Sequence, residues 1–237
     1  MSFLNLTNVT LVCFAIPGHY QASIKAIEYS IREINFFKSI LFTDQLQKPI
    51  NGIEQIKIPK FNNVYDWGEF VVFKLYKFIQ SEFIILIHDD GFIVNPKAWN
   101  NNFLKYDYIG APWPPIYRDK NNELVRVGNS VSLRSKKILE LPSQLQLEWS
   151  LAADVKFHED GFICLKHRKI LMQNKILFAP FDIACNFSRE KTFKENKNIK
   201  TFAFHKWQGN NRVYPCFNRF YQIQKKLTKL KKFFLSQ

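Results

Sequence analysis

An α/β fold with a mostly parallel central sheet is the architecture this chain of 237 residues predicts, and three observations carry the expectation. Strand-like and helix-like hydrophobic patterns alternate through about the first ninety residues in the order β-α-β-β-α-β, which is how a largely parallel sheet is built. The last strand of that series, Phe83-Ile84-Ile85-Leu86-Ile87, is a continuous apolar run, too short for a helix and rich in isoleucine, as a strand buried on both faces requires. That run stops abruptly at His88-Asp89-Asp90-Gly91, and open parallel sheets place their chemistry just beyond the carboxyl ends of such strands.

Residues 9–16 form the first apolar strand, broken by Pro17-Gly18. Through residues 19–35 the apolar positions Ile24, Ile27, Ile31 and Ile34 fit one face of a helix. Residues 37–42 make a second strand ending at Thr43-Asp44, and Ile53, Ile56 and Ile58 mark a third, shorter one closed by Pro59. Residues 67–80, with Phe70, Val71, Phe73, Leu75, Tyr76 and Phe78, predict an amphipathic helix that leads directly into the strand before His88. Beyond Gly91 the pattern loosens. Asn95-Pro96-Lys97-Ala98-Trp99 reads as a loop entering a short helix, and the proline-rich segment 106–115 has turn character throughout. Residues 130–134 form a short strand, and residues 135–141 a helix with Ser135 at its N-cap. Residues 161–165 begin another helix, 176–179 are a strand and 202–205 a short extended segment. At Cys216 the character changes. Phe217, Phe220, Tyr221, Leu227, Leu230 and Phe234 fall on one side of a helix with Lys225, Lys226, Lys229, Lys231 and Lys232 on the other, so residues 216–237 are set apart from the domain at 1–215.

Composition narrows the function classes. With 46% hydrophobic and 16% aromatic residues the chain is globular rather than disordered. Its 34 basic against 20 acidic residues leave a net charge of +14, which points to an anionic partner: nucleotide, phospholipid, acidic glycan or nucleic acid. Apart from the C-terminal cluster the basic residues are scattered, and no helix-turn-helix, zinc or RNA-recognition pattern occurs, so nucleic acid is not expected. Cys13, Cys164, Cys185 and Cys216 are widely spaced, which suits reduced core thiols better than zinc or disulfides. The N-terminus shows no signal-peptide pattern and no apolar run approaches the roughly 20 residues of a membrane span, so a cytoplasmic protein is expected. The basic face of the C-terminal helix suits either peripheral contact with an anionic membrane or plain solvation.

Two carboxylates and an imidazole at the end of a buried strand can hold a divalent cation, which is useful where a diphosphate must be neutralised. Alternatively Asp89 and Asp90 only open a surface turn, since Asp-Gly is a common turn pair. Adjacent strand residues point to opposite faces, so in extended geometry His88 and Asp90 share a face that Asp89 does not. Trp113 and Tyr108 either stack on substrate or pack as buried aromatics.

The string Ile87-His88-Asp89-Asp90-Gly91-Phe92-Ile93-Val94-Asn95-Pro96-Lys97-Ala98-Trp99 is followed by Tyr106-Asp107-Tyr108-Ile109-Gly110-Ala111-Pro112-Trp113. Then come Val127-Gly128-Asn129-Ser130-Val131-Ser132-Leu133-Arg134-Ser135, His158-Glu159-Asp160-Gly161-Phe162-Ile163-Cys164, Phe178-Ala179-Pro180 and Phe202-Ala203-Phe204-His205. This ordered set, over residues 67–207, resembles the bacterial and viral family known as domain of unknown function 5672, which looks like a GT-A glycosyltransferase.

The resemblance implies a GT-A-like, Rossmann-like αβα sandwich that binds a nucleotide sugar, with UDP-linked donors the expected class. It implies a divalent metal, Mn²⁺ or Mg²⁺, at an Asp-x-Asp-like motif. Asp90 matches the acidic position of the family's Gln-x-Asp-Gly pattern, whereas His88 replaces the glutamine and Asp89 takes the variable place. Asp89, His88 or neither then joins Asp90 at the metal, and a late histidine, His205, is brought to it. Glu159-Asp160 becomes the candidate general base, a role open between the two, for sugar transfer with inversion. Acidic residues that merely favour a helix N-terminus are the alternative. Gly128-Asn129 matches the start of the family's Gly-Asn-Gly-Gly loop, with Ser130-Val131 in place of the last two glycines, and Asn129 is expected at the donor. The implied acceptor is a glycan or a lipid-linked glycan. Two other classes stay open: a sugar-nucleotide-binding or scaffold protein without activity, and a nucleic-acid-binding protein.

Overall fold

The computed structural model describes residues 3–150, 158–206 and 214–217. Six strands form the main sheet: β1 (Leu4–Ala15), β2 (Ile34–Thr43), β3 (Glu54–Lys57), β4 (Phe83–Ile87), β5 (Tyr108–Ile109) and β6 (Ser132–Ser135). Their order is β3-β2-β1-β4-β6-β5. β3, β2, β1 and β4 run parallel, while β6 is antiparallel to both β4 and β5. The mixed α/β fold with a mostly parallel sheet is therefore as the sequence predicts.

Period-two alternation sorts the central strands between two cores. Leu11 and Cys13 of β1 and Ile85 and Ile87 of β4 face the side covered by α1 (Tyr20–Ile31). Val12, Phe14, Ile84 and Leu86 face the side covered by α2 (Val64–Phe73). These residues are buried whichever face they take, which is why the runs read as continuously apolar. Each fully buried large aliphatic side chain contributes about 1.5–3 kcal/mol, so helix, sheet and helix are held mainly by these two layers.

Several boundaries differ from the expected ones. β1 starts at Leu4 because Leu4 pairs with Ile34 on β2, with a register shift between Leu6 and Thr10. The same pairing draws Ile34 into the sheet and ends α1 at Ile31, whereas periodicity alone carries the helix to residue 35. α2 starts earlier than Trp67, because the Asn63 side chain accepts from the Tyr65 and Asp66 N–H groups and caps it. The expected single helix over 67–80 is divided at Lys74, whose φ of −126° is not helical, and resumes as a 3₁₀ turn at Leu75–Phe78. The expected strand at 176–179 is only a bridge between Phe178 and Tyr108, since the two-residue β5 beside it offers no longer ladder.

Past β6, α3 (Lys136–Gln144) is capped by the Ser135 hydroxyl, as expected. The short helical turn α4 (Glu159–Gly161) continues into a π-helical turn at Phe162–Lys166 and then α5 (Arg168–Gln173). α6 (Phe181–Phe187) leads to a small parallel pair, β7 (Ser188–Arg189) with β8 (Ala203–Phe204). β8 carries the chain back to the end of β4, where Phe204 N–H donates to the Phe92 carbonyl and Lys206 N–H to the Asp90 carbonyl. All four cysteines are free thiols. No helix among the described residues is long and apolar enough to cross a membrane. The basic stretch at 218–237 lies outside the described residues.

Candidate active site

The carboxyl ends of β1 and β4 lie side by side, Cys13 opposite Ile87. A cleft of about 650 Å³ opens there, lined among others by Trp67, His88, Asp90, Trp113, Asp160 and His205. The residues after β4 turn back at once: His88 N–H donates to the Gly91 carbonyl at 2.7 Å and Gly91 N–H returns to His88 at 3.2 Å. The Asp-Gly turn is formed, and both aspartates line the cleft. The turn replaces extended geometry, yet it still separates the two aspartates. Asp89 Oδ2 lies 2.7 Å from His19 Nδ1, in the loop after β1. Asp90 Oδ1 lies 3.6 Å from His205 Nε2. A Cβ at Gly91 would come within 2.7 Å of both the His205 ring and Val131, so only glycine lets the β8 segment close onto this turn.

His205 is buried between two acids, its Nδ1 4.0 Å from Glu190 Oε1, and its ring centroid is 5.2 Å from that of His88. His88 Nε2 is 2.7 Å from the Ser130 hydroxyl, and burial pushes the imidazole below its usual pKa. Lys191 and Lys206 add two ammonium groups to the lining.

The two acids of α4 have different surroundings. Glu159 is 1% exposed; its Oε1 accepts from Ser130 Oγ at 2.6 Å and from Arg134 Nη2 at 2.9 Å, with Arg134 itself 0% exposed. Burial opposes its ionisation, but the Arg134 guanidinium and the Ser130 hydroxyl together hold its carboxyl below the usual range. Asp160 is half-buried in the cleft, and Oδ1 accepts from the His158 and Gly161 N–H groups at 3.3 and 2.8 Å. Burial, reinforced by the Glu159 charge, raises its carboxyl to about 7. One acid is thus fixed and charged, and the other is poised near neutrality.

Tyr108, Trp113 and Gly128 are all buried. Tyr108 is 0% exposed and its hydroxyl donates to the Asn129 carbonyl at 2.5 Å, so it supports the loop from inside and cannot stack on a ligand. Trp113 borders the cleft but is 3% exposed, its ring packed on Tyr117 and Gly128, as a buried aromatic. Gly128 is buried, and the space a Cβ would take is filled by the Trp113 indole, 2.1 Å away. Gly128→Ala is expected to destabilise the fold by about 1–3 kcal/mol through overpacking, read as a lowered thermal unfolding midpoint. Asn129 does line the cleft, in the left-handed region at φ 86°, a conformation asparagine tolerates better than most residues. Its amide group donates to Glu190 Oε2 at 2.8 Å, and its Oδ1 accepts from Val131 N–H.

Glu190, Arg134, Ser130 and His19 escaped the sequence reading. Arg134 carried a signal, since a charge inside a buried strand demands a partner. His19 carried one too, because it follows β1 as His88 follows β4. Nothing in its neighbours marks Glu190.

A family model described as protein of unknown function (DUF5672) matches residues 53–205. Among solved structures the chain is similar to the galactosyltransferase LgtC in complex with donor and acceptor sugar analogs, at 10% identity and a TM-score of 0.51 over 92% of this chain and 94% of that one. It is also similar to a glycosyltransferase involved in the glycosylation of the major capsid of PBCV-1, at 12% identity and a TM-score of 0.50 over 86% and 95% of the two chains. No curated protein matches the sequence. At these identities the likeness is one of fold, and the chain has a GT-A glycosyltransferase-like fold.

Proposed function

We propose that this chain, which belongs to the DUF5672 family, is a glycosyltransferase that moves a sugar from a nucleotide-sugar donor, UDP-linked, to a hydroxyl of a glycan or glycolipid. The observation that carries the proposal is the cleft beyond β1 and β4, which gathers Asp160, the Asp90 and His205 pair and two lysines in a glycosyltransferase-like fold; burial and the Glu159 charge raise the Asp160 carboxyl there. A general base works best when its pKa lies near the operating pH.

Asp160 takes the proton of the acceptor hydroxyl as its oxygen attacks the anomeric carbon. The bond from that carbon to the diphosphate oxygen breaks in the same step, giving inversion without a covalent sugar-enzyme intermediate. Lys191 and Lys206 stabilise the negative charge that develops on the departing diphosphate. Asp90 and His205 offer one carboxylate and one imidazole, a donor pair that fits part of the shell of Mn²⁺, which accepts imidazole, better than that of Mg²⁺. Among the described residues no three His, Cys, Asp or Glu side chains form a ready cage. Phosphate oxygens and water would complete the shell, as is usual for nucleotide-bound cations. A bound cation would neutralise the diphosphate. Glu159 stays ion-paired with Arg134 and takes no proton.

Calorimetric titration with UDP, GDP and CMP, each with and without Mn²⁺, tests the reading. The expected result is metal-dependent binding of UDP, reduced at least ten-fold in Asp90→Ala. Equal binding by that variant removes Asp90 from the site, and nucleotide binding with no transfer to any acceptor favours a sugar-nucleotide-binding protein without activity.

A further inference from the structure

Ser130 Oγ stands between Glu159 Oε1, 2.6 Å away, and His88 Nε2, 2.7 Å away. A hydroxyl has one proton to donate and lone pairs to accept with. Glu159 is ion-paired with the fully buried Arg134, so it is a carboxylate and only accepts. The Ser130 proton therefore belongs to Glu159, and the lone pairs of Oγ face His88. Nε2 must then carry a hydrogen and donate to Ser130. The rest of the network fixes the same serine: Arg134 Nε donates to Ser132 Oγ at 2.8 Å, and that hydroxyl donates to the Ser130 carbonyl at 2.7 Å. Two buried groups thus hold Ser130 by its side chain and by its backbone.

We propose that Arg134, Glu159 and Ser130 are positioning residues for His88: they fix its imidazole in the tautomer protonated on Nε2, so that Nδ1 accepts a hydrogen bond from a hydroxyl of the bound sugar nucleotide. Its functional half rests on the glycosyltransferase reading; the tautomer itself does not. The ring lines the cleft, and Nε2 is the nitrogen engaged within the protein. Above the ordinary histidine range the ring is neutral, and with the hydrogen on Nε2 the other nitrogen, Nδ1, keeps its lone pair. A ring free to exchange tautomers would present an N–H to the same hydroxyl part of the time, so the buried ion pair acts on ligand recognition from two hydrogen bonds away.

The test uses the full-length protein labelled with ¹⁵N-histidine and free of ligand, the His88 signals being assigned by their loss in His88→Gln. The wild-type ring is expected to show Nε2–H and an unprotonated Nδ1. Ser130→Ala is expected to average the two nitrogens, and Ser130→Thr, which keeps the hydroxyl, to restore the wild-type pattern. UDP affinity in the presence of Mn²⁺ is expected to fall about ten-fold in Ser130→Ala and to recover in Ser130→Thr. A wild-type ring protonated on Nδ1, or a tautomer unmoved by Ser130→Ala, overturns the positioning role. A changed tautomer with unchanged UDP affinity overturns the role of Nδ1 as acceptor. If UDP fails to bind the wild type, the UDP-linked donor is wrong, and the ligand-free spectra still decide the tautomer.

Discussion

Asp160→Asn is expected to lower the rate of sugar transfer by about 10²–10⁴-fold, the usual worth of a positioned proton acceptor, while donor binding changes little. Asparagine keeps the shape and can still accept from the His158 and Gly161 N–H groups, but it cannot take a proton from the acceptor hydroxyl. The pH profile separates this from a loss of structure. Burial and the neighbouring Glu159 charge raise Asp160 to about 7, and the base works only when ionised. Wild-type activity should therefore rise with pH through about 7 and level off above it, and the residual activity of Asp160→Asn should lack that limb. The same shift has a cost in stability with a definite sign. A carboxyl whose folded value lies above its unfolded one stabilises the fold fully below the unfolded pKa, and that stability is lost as pH rises through the folded value. Over the interval from about 4 to 7 the wild type should lose stability relative to Asp160→Asn, measured by urea unfolding at fixed pH values. A transfer rate unchanged in Asp160→Asn would move the base elsewhere.

The parts of this molecule that were legible in the sequence are those governed by local pattern. Ile84 to Ile87 read as a doubly buried strand because both faces of β4 are covered, and a cleft was expected at His88-Asp89-Asp90-Gly91 because a parallel strand ends there. His205 was placed at the site by family resemblance, and its route became visible only through β8, which bonds back to Phe92 and Asp90. What was not legible depends on contacts between distant segments. Periodicity cannot know that Leu4 will pair with Ile34 and end α1, or that the Trp113 ring will occupy the space beside Gly128. It also cannot divide the acids of Glu159-Asp160. They are adjacent in sequence, and only the buried guanidinium of Arg134, 25 positions away, makes one a fixed charge and leaves the other near neutrality. Ser130 occupies a position where the resembled pattern has glycine and His88 one where it has glutamine, and the two touch at 2.7 Å.

Arg134→Met is expected to destabilise the protein by about 3–5 kcal/mol, because it strands an ionised carboxylate in a site that is 1% exposed. For a domain of this size that corresponds to a fall of about 10 °C in the thermal unfolding midpoint. The double variant Arg134→Met/Glu159→Leu should recover most of that loss, since replacing a whole buried ion pair with apolar side chains is often neutral or stabilising. Recovery of stability should not bring recovery of function. With Glu159 gone, the Ser130 proton has lost its carboxylate acceptor and is free to turn toward His88 Nε2, which reverses the hydrogen bond and allows the ring to carry its proton on Nδ1. A protein as stable as the wild type but weakened in UDP binding would show that the pair is retained for the orientation it imposes on the cleft. Full binding by the double variant would reduce it to packing. A double variant no more stable than Arg134→Met would mean that the two side chains are not exchanging charge for charge, and the assignment of Glu159 as the ionised partner of Arg134 would fall with it.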